Sequence, residues 1–238
     1  MISVLRHSRP SGNPVTAPLD FRLRGSDEKG SALSGKPILH EYSQSGNCYK
    51  IRLTASLLGV PIERREYDIQ KGETRTPEFL SSINPNGRIP VLQVGDRFIP
   101  ESNAACFYLA DGTRLVPDDR FDRADMLRWM FFEQYNHEPN VATLRFWIAF
   151  LGEERLSEEQ RRLVPAKRAA GEAALALMDE HLADRDFFVG DRLSLADVAL
   201  YAYTHVAEDG GFELSRYPNI QAWLGRVASR PGHVPLNA

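Results

Sequence analysis

The stretch Asn84-Pro85-Asn86-Gly87-Arg88-Ile89-Pro90-Val91-Leu92, followed by Glu101-Ser102-Asn103-Ala104, constrains this chain more than any other segment. It reads as a polar turn, a proline where a strand begins, and then an acidic helix start. Proline has no N–H to give to a β-ladder, so its place at the head of an apolar run needs a reason. A cis X-Pro bond supplies one, because it turns the backbone so that Ile89 presents its own N–H and C=O to a ligand.

The flanking patterns suit a small α/β unit. Residues 37–42 read as a strand, ended by the turn Ser43-Gln44-Ser45-Gly46-Asn47. Ile51, Leu53, Leu57 and Leu58 then recur at helical spacing up to Gly59, a natural stop. Residues 60–69 hold a second strand centred on 63–67, and strand, helix, strand implies a parallel crossover. Thr76 before Pro77 predicts a short helix over 77–82. Residues 90–94 and 97–99 flank Gly95-Asp96 as a hairpin, and 101–110 form a helix closed near Gly112. Residues 71–76 read as a polar loop and 115–119 as a linker.

Beyond residue 119 the pattern favours helix throughout, over 123–135, 141–151, 195–206 and 220–228. Ser157 with Gln160 makes a capping box that opens a helix toward His181, in which Pro165 predicts a kink or a later start. The expected organisation is an extension over 1–35, an α/β domain over 36–114 and an all-helical domain over 120–238. Residues 1–35 lack a sustained period and a secretory apolar core, and are expected to be a mobile extension.

Charge and cysteine content narrow the function classes. A formal net charge of -3 gives no basic field for nucleic acid or acidic membranes. Two cysteines, Cys48 and Cys106, cannot build a disulfide framework and suggest no metal cluster. No apolar run has the length of a membrane span. The expectation is a cytoplasmic protein without a metal.

The turn over residues 42–50 opens the first helix, where unpaired N–H groups and a partial positive charge favour an anion. A free thiol titrates at about 8.5. Lowering that by about two units takes roughly 2.7 kcal/mol of preference for the thiolate. A hydroxyl aimed at the sulfur together with helix N–H groups can supply it.

With Ile89-Pro90, Glu101-Ser102 and the run Ser45-Gly46-Asn47-Cys48-Tyr49-Lys50-Ile51-Arg52, the chain resembles the serine-type glutathione transferases, zeta- and theta-like, over residues 36–230. The resemblance implies a thioredoxin-like α/β domain followed by an all-α domain, glutathione as co-substrate, and a homodimer. In zeta-like members a serine just ahead of the first helix donates to the sulfur, and Ser45 matches that place. Theta- and delta-like members place it one residue later, where Gly46 stands. Tyr42, at the strand end used by tyrosine-type members, and Asn47 follow Ser45 as candidates. Cys48 is a competing nucleophile on analogy with cysteine-type members, although a buried packing role suits it better.

Carried over position by position, the resemblance implies that Ile89 ahead of Pro90 pairs with the cysteinyl backbone of glutathione. Ser102 would take the α-carboxylate and Glu101 the α-ammonium of the γ-glutamyl end. Thr74 or Arg75, with Arg88, would meet the glycine end. Ser194-Leu195-Ala196-Asp197 resembles the family's capping box and is assigned to folding. Met130, Phe131, Phe132, Tyr135, His137, Arg145, Phe146 and Trp147 are candidates for the wall of the second substrate, and His137 beside Glu138 is read as a helix-end residue. The implied reaction is conjugation of the thiolate to a small hydrophobic electrophile, as in detoxification. A glutathione-dependent isomerase, dehalogenase or ether-cleaving enzyme, and a non-catalytic module of the same fold, are the alternatives.

Overall fold

A computed structural model describes residues 35–238; apart from Gly35, the expected extension lies outside the described residues. Four strands, β1 (Ile38–Glu41), β2 (Glu63–Glu66), β3 (Val91–Val94) and β4 (Arg97–Pro100), form one sheet in the order β2-β1-β3-β4. β1 and β2 are parallel, with Ile38 opposite Glu63, while the β3–β4 hairpin joins β1 antiparallel, with Leu39 opposite Leu92. A parallel pair needs a crossover, and α1 (Gly46–Leu57) is that crossover.

Helix α1 begins where Ser45, in extended conformation, accepts the Cys48 N–H, and it ends at Leu58 and Gly59, whose φ of +67° suits glycine. All of α1 except Asn47 and Ser56 is buried, because α3 (Ser102–Ala110) and α7 (Leu195–Thr204) both pack on it. The short α2 (Pro77–Ser82) starts at the Thr76 hydroxyl, which accepts the Phe79 N–H at 3.2 Å. The helical half adds α4 (Arg120–Phe132), α5 (Glu138–Arg145), α6 (Glu158–His181) and α8 (Pro218–Ala228). Every residue of α7 is buried, so the core of this half forms around it.

Several elements differ from expectation, each for a physical reason. The second strand is confined to β2, and the loop before α2 contains a 3-10 turn, Glu73–Arg75. The region over 115–119 is not a loose linker: Leu115 and Val116 are buried, and the Leu115 carbonyl accepts the Leu195 N–H at 3.0 Å. Pro165 does not shift the start of α6, which the Ser157–Gln160 box sets with bonds of 2.8 and 3.1 Å. Between α4 and α5 the chain makes a π-helical turn, Glu133–His137, in which the Glu138 N–H reaches the Glu133 carbonyl five residues back. Pro139 follows at once. A second π-helical segment, Phe146–Leu151, replaces the expected α-helical end.

Candidate active site

The turn between β1 and α1 is held from every side. The Ser45 N–H donates to the Tyr42 carbonyl and the Tyr49 N–H to the Ser45 carbonyl, both at 2.9 Å. The Arg52 guanidinium donates to the Ser43 carbonyl at 2.7 Å, and Arg145 donates to the Gln44 carbonyl at 3.0 Å. Four successive carbonyls thus have partners, and one partner, Arg145, comes from α5. Arg145 is itself buried and paired with Asp209 at 3.0 Å.

A cavity of about 750 Å³ opens in front of this turn. Tyr42, Ser45, Gly46 and Asn47 form one side with Arg88 and Ile89, and α5 with the second π-helical segment forms the other. The Ile89–Pro90 peptide is cis, and Ile89 lies outside the β1–β3 ladder, whose last pair is His40–Val91. The Ser45 hydroxyl is half-buried and accepts only the Cys48 N–H, at 3.4 Å. Asn47 faces the cavity, but its carboxamide is tied on both sides: Nδ2 donates to Glu138 at 2.7 Å, and Oδ1 accepts the Ser102 hydroxyl at 3.2 Å.

Gly46 explains why no serine stands one residue later. A Cβ there would lie 2.5 Å from the Tyr203 ring, which α7 presses against the start of α1. Cys48, the competing nucleophile, is fully buried, and burial pushes its thiol up to about 12. The Tyr42 N–H donates to its sulfur at 3.4 Å without reversing that effect. A thiol so placed is protonated at neutral pH, and the reactive-cysteine alternative falls away.

Behind the turn lies a buried charge cluster. Lys50 Nζ sits 2.8 Å from Glu133 and 3.6 Å from Glu138, with Lys50 and Glu133 fully buried. Burial opposes the Lys50 charge, but the two carboxylates overcome it and hold the ammonium above its usual value. Glu138 therefore links this cluster to Asn47, and Asn47 links it to Ser102 at the start of α3.

The glutathione-binding candidates divide. Arg88 and Ile89 border the cavity. Thr74 is buried within its 3-10 turn and does not border it. Arg75 grips the Asn86 carbonyl at 3.0 Å, which ties the loop to the Asn84–Gly87 turn. Glu101, exposed at the head of α3, has a φ of +69°, a conformation that side chains other than glycine rarely adopt.

The wall of the cavity is displaced along the chain from where helical spacing put it. Arg145, Phe146 and Trp147 line it, joined by Pro139, Ala142, Thr143 and Phe150. Met130 belongs to the core, and Phe132 packs edge-on against Trp129. Phe131 and Tyr135 are 62% and 80% exposed and point elsewhere. His137 is fully buried and bonded to the Thr204 hydroxyl at 3.0 Å, so it forms no acid–base pair with Glu138 at the cavity. A π-helical turn adds a residue per turn, so a 3.6-residue count started in α4 loses the face before α5. Tyr203 escaped the sequence reading altogether, since neither of the two tyrosines in this apolar helix carries a local signal of where it points.

Comparison with known proteins agrees with this architecture. Residues 38–111 match the glutathione S-transferase N-terminal domain, and residues 129–231 match the glutathione S-transferase C-terminal domain. The glutathione S-transferase-like protein LUC7 of a Fusarium species is 30% identical over 199 residues, covering 79% of this chain and 87% of that protein. A crystal structure of a glutathione S-transferase from Pseudomonas fluorescens is 46% identical, with a TM-score of 0.80, covering 86% of this chain and 100% of that one. That of a possible glutathione S-transferase from Rhodopseudomonas palustris is 43% identical, with a TM-score of 0.82, covering 86% and 99%. A thioredoxin-like α/β half followed by an all-α half, both family domains in order, and relatives that span most of the chain lead to one conclusion: this protein belongs to the glutathione S-transferase family.

Proposed function

We propose that the protein is a glutathione transferase of serine type that conjugates the glutathione thiolate to a small hydrophobic electrophile. One observation carries this reading: the Ser45 hydroxyl and the aromatic side chains Phe146, Trp147 and Phe150 face the same cavity. The cysteinyl part of glutathione pairs with the Ile89 backbone, which brings its sulfur to the start of α1. Ser45 donates to that sulfur, and the N–H groups of α1 favour its negative charge. The γ-glutamyl end reaches past Asn47, where the N-terminus of α3 at Ser102 holds its carboxylate and Glu101 its ammonium. Arg88, which borders the cavity, takes the glycine carboxylate. Catalysis is thiol pKa lowering plus proximity, and the freed proton goes to solvent.

Ser45→Ala tests the assignment: glutathione conjugation falls at least about tenfold, equal to about 1.4 kcal/mol of barrier, while the protein stays folded. Unchanged turnover assigns activation to Tyr42 or Asn47. Product release without net loss of glutathione converts the reading to an isomerase or lyase, and no retention on immobilised glutathione removes enzyme and co-substrate together. Homodimerisation is part of this proposal, supported by Tyr108, Phe131 and Tyr135, which are large and exposed; sedimentation reads it directly. So is a cytoplasmic setting, supported by two free cysteines. Among the described residues, no helix is long and apolar enough to cross a membrane.

A further inference from the structure

Helix α7 brings to the cavity one side chain that the reading above does not use. Tyr203 is almost wholly buried, yet it borders the cavity beside Ser45, Gly46 and Asn47. Its ring fills the space above Gly46, and its oxygen accepts the Asn47 N–H at 3.2 Å. The next N–H of α1, that of Cys48, goes to Ser45 Oγ at 3.4 Å. A hydroxyl has one proton and two lone pairs. In both groups a backbone amide occupies a lone pair; the Ser45 hydroxyl also bonds the Cys48 thiol, while among the described residues no acceptor takes the Tyr203 proton. Two successive amides of one helix end therefore hold two hydroxyls at the cavity, and the Tyr203 proton is left for whatever enters it. Burial, with Glu138 and Glu133 adding to it, keeps the Tyr203 phenol well above its ordinary value, so it stays a donor where thiols ionise.

We propose that Tyr203 is a second hydroxyl donor to the glutathione sulfur, acting beside Ser45; this rests on the glutathione reading. When the thiol ionises, its S–H bond breaks, the sulfur keeps the electron pair, and the proton passes to solvent water. Both hydroxyls remain protonated and donate to the thiolate as charge-assisted hydrogen bonds. The thiolate is thus stabilised from the α/β half by Ser45 and from the helical half by Tyr203.

Tyr203→Phe keeps the ring over Gly46 and removes only the hydroxyl. The bound thiolate is followed by its ultraviolet absorbance against pH, beside calorimetry with glutathione and S-methylglutathione and a thermal melt. The expected result is a rise of about one pH unit in the thiolate midpoint, with S-methylglutathione affinity unchanged. Ser45→Ala raises the midpoint separately, and the double variant raises it further than either. A midpoint left at the wild-type value overturns the proposal, and if stability drops alongside, Tyr203 only caps α1. Wild-type protein that binds no glutathione overturns this proposal and the function together, whereas binding without the shift overturns Tyr203 alone.

Discussion

Ser45 and Ser194 occupy the same position on two buried helices, each as the extended residue just before the first turn. Around Ser194 every polar group is satisfied. The fully buried Asp197 carboxylate accepts the Ser194 N–H at 2.8 Å and its hydroxyl at 3.0 Å, and the Phe188 N–H and Trp223 Nε1–H, both at 3.0 Å. The Ser45 hydroxyl accepts one long bond and borders a cavity. The difference teaches how a cap that builds the fold is told from one available to a ligand. The first is closed by protein donors on all sides; the second has few protein partners at its hydroxyl and open space before it.

The largest effect is expected where the network is closed. Asp197→Ala leaves four donors buried without an acceptor and should cost about 3–5 kcal/mol. Denaturant unfolding measures it, and the folded fraction should keep its glutathione affinity; lost affinity at full stability would mean that Ser194 and Asp197 belong to the site. Gly46→Ala attacks the open end. Its Cβ meets the Tyr203 ring, so a loss of about 1–3 kcal/mol is expected, together with loss of conjugation out of proportion to the stability change. A fully active, fully stable Gly46→Ala protein would break the link between the two halves.

Acid sharpens the contrast at the other end of α7. Burial first, and then the Lys50 charge, pulls His137 down to about 3 from an ordinary 6.5, so it is neutral in the folded protein. The unfolded chain takes up a proton below 6.5 that the folded chain refuses. Stability from this group is therefore full above 6.5 and is lost as pH falls toward 3, by about 1.4 kcal/mol per pH unit. His205, held at about 4 chiefly by burial, adds to the same limb. His137→Leu should flatten this limb in unfolding curves at pH 7 and pH 5, since Thr204 keeps its 2.7 Å bond to the Leu200 carbonyl; an unchanged slope would refute the assignment. The smallest stability effect belongs to Ser45→Ala, about 1 kcal/mol, because only the Cys48 amide loses its partner. A loss as large as that of Asp197→Ala would contradict the contrast.

What was legible in the sequence follows the range of the forces involved. The β1, α1 and hairpin pattern could be read because Ser45, Gly59, Thr76-Pro77 and Gly95 act on their own neighbours in the chain. The capping boxes at Ser157 and Ser194 were readable for the same reason. Arg145 and Phe146 were named for the wall while Pro139 and Phe150 were missed, since the periodic count changes at each π-helical segment. Lys50 could not be recognised as a buried cation, because its partners Glu133 and Glu138 lie far along the chain. Thr74 matches the glycine-end place only by its position in the chain, and it is buried in its own 3-10 turn.

The π-helical turn Glu133–His137 has a consequence for how such a chain can change. A π-helical turn takes up one extra residue within a helix, so removing one residue here would restore α-helical winding while leaving α5 in nearly its present phase relative to α4. Pro139, Ala142 and Thr143 would keep facing the cavity, with α4 still seated in the core. A single codon can therefore be lost at this point with the cavity wall preserved.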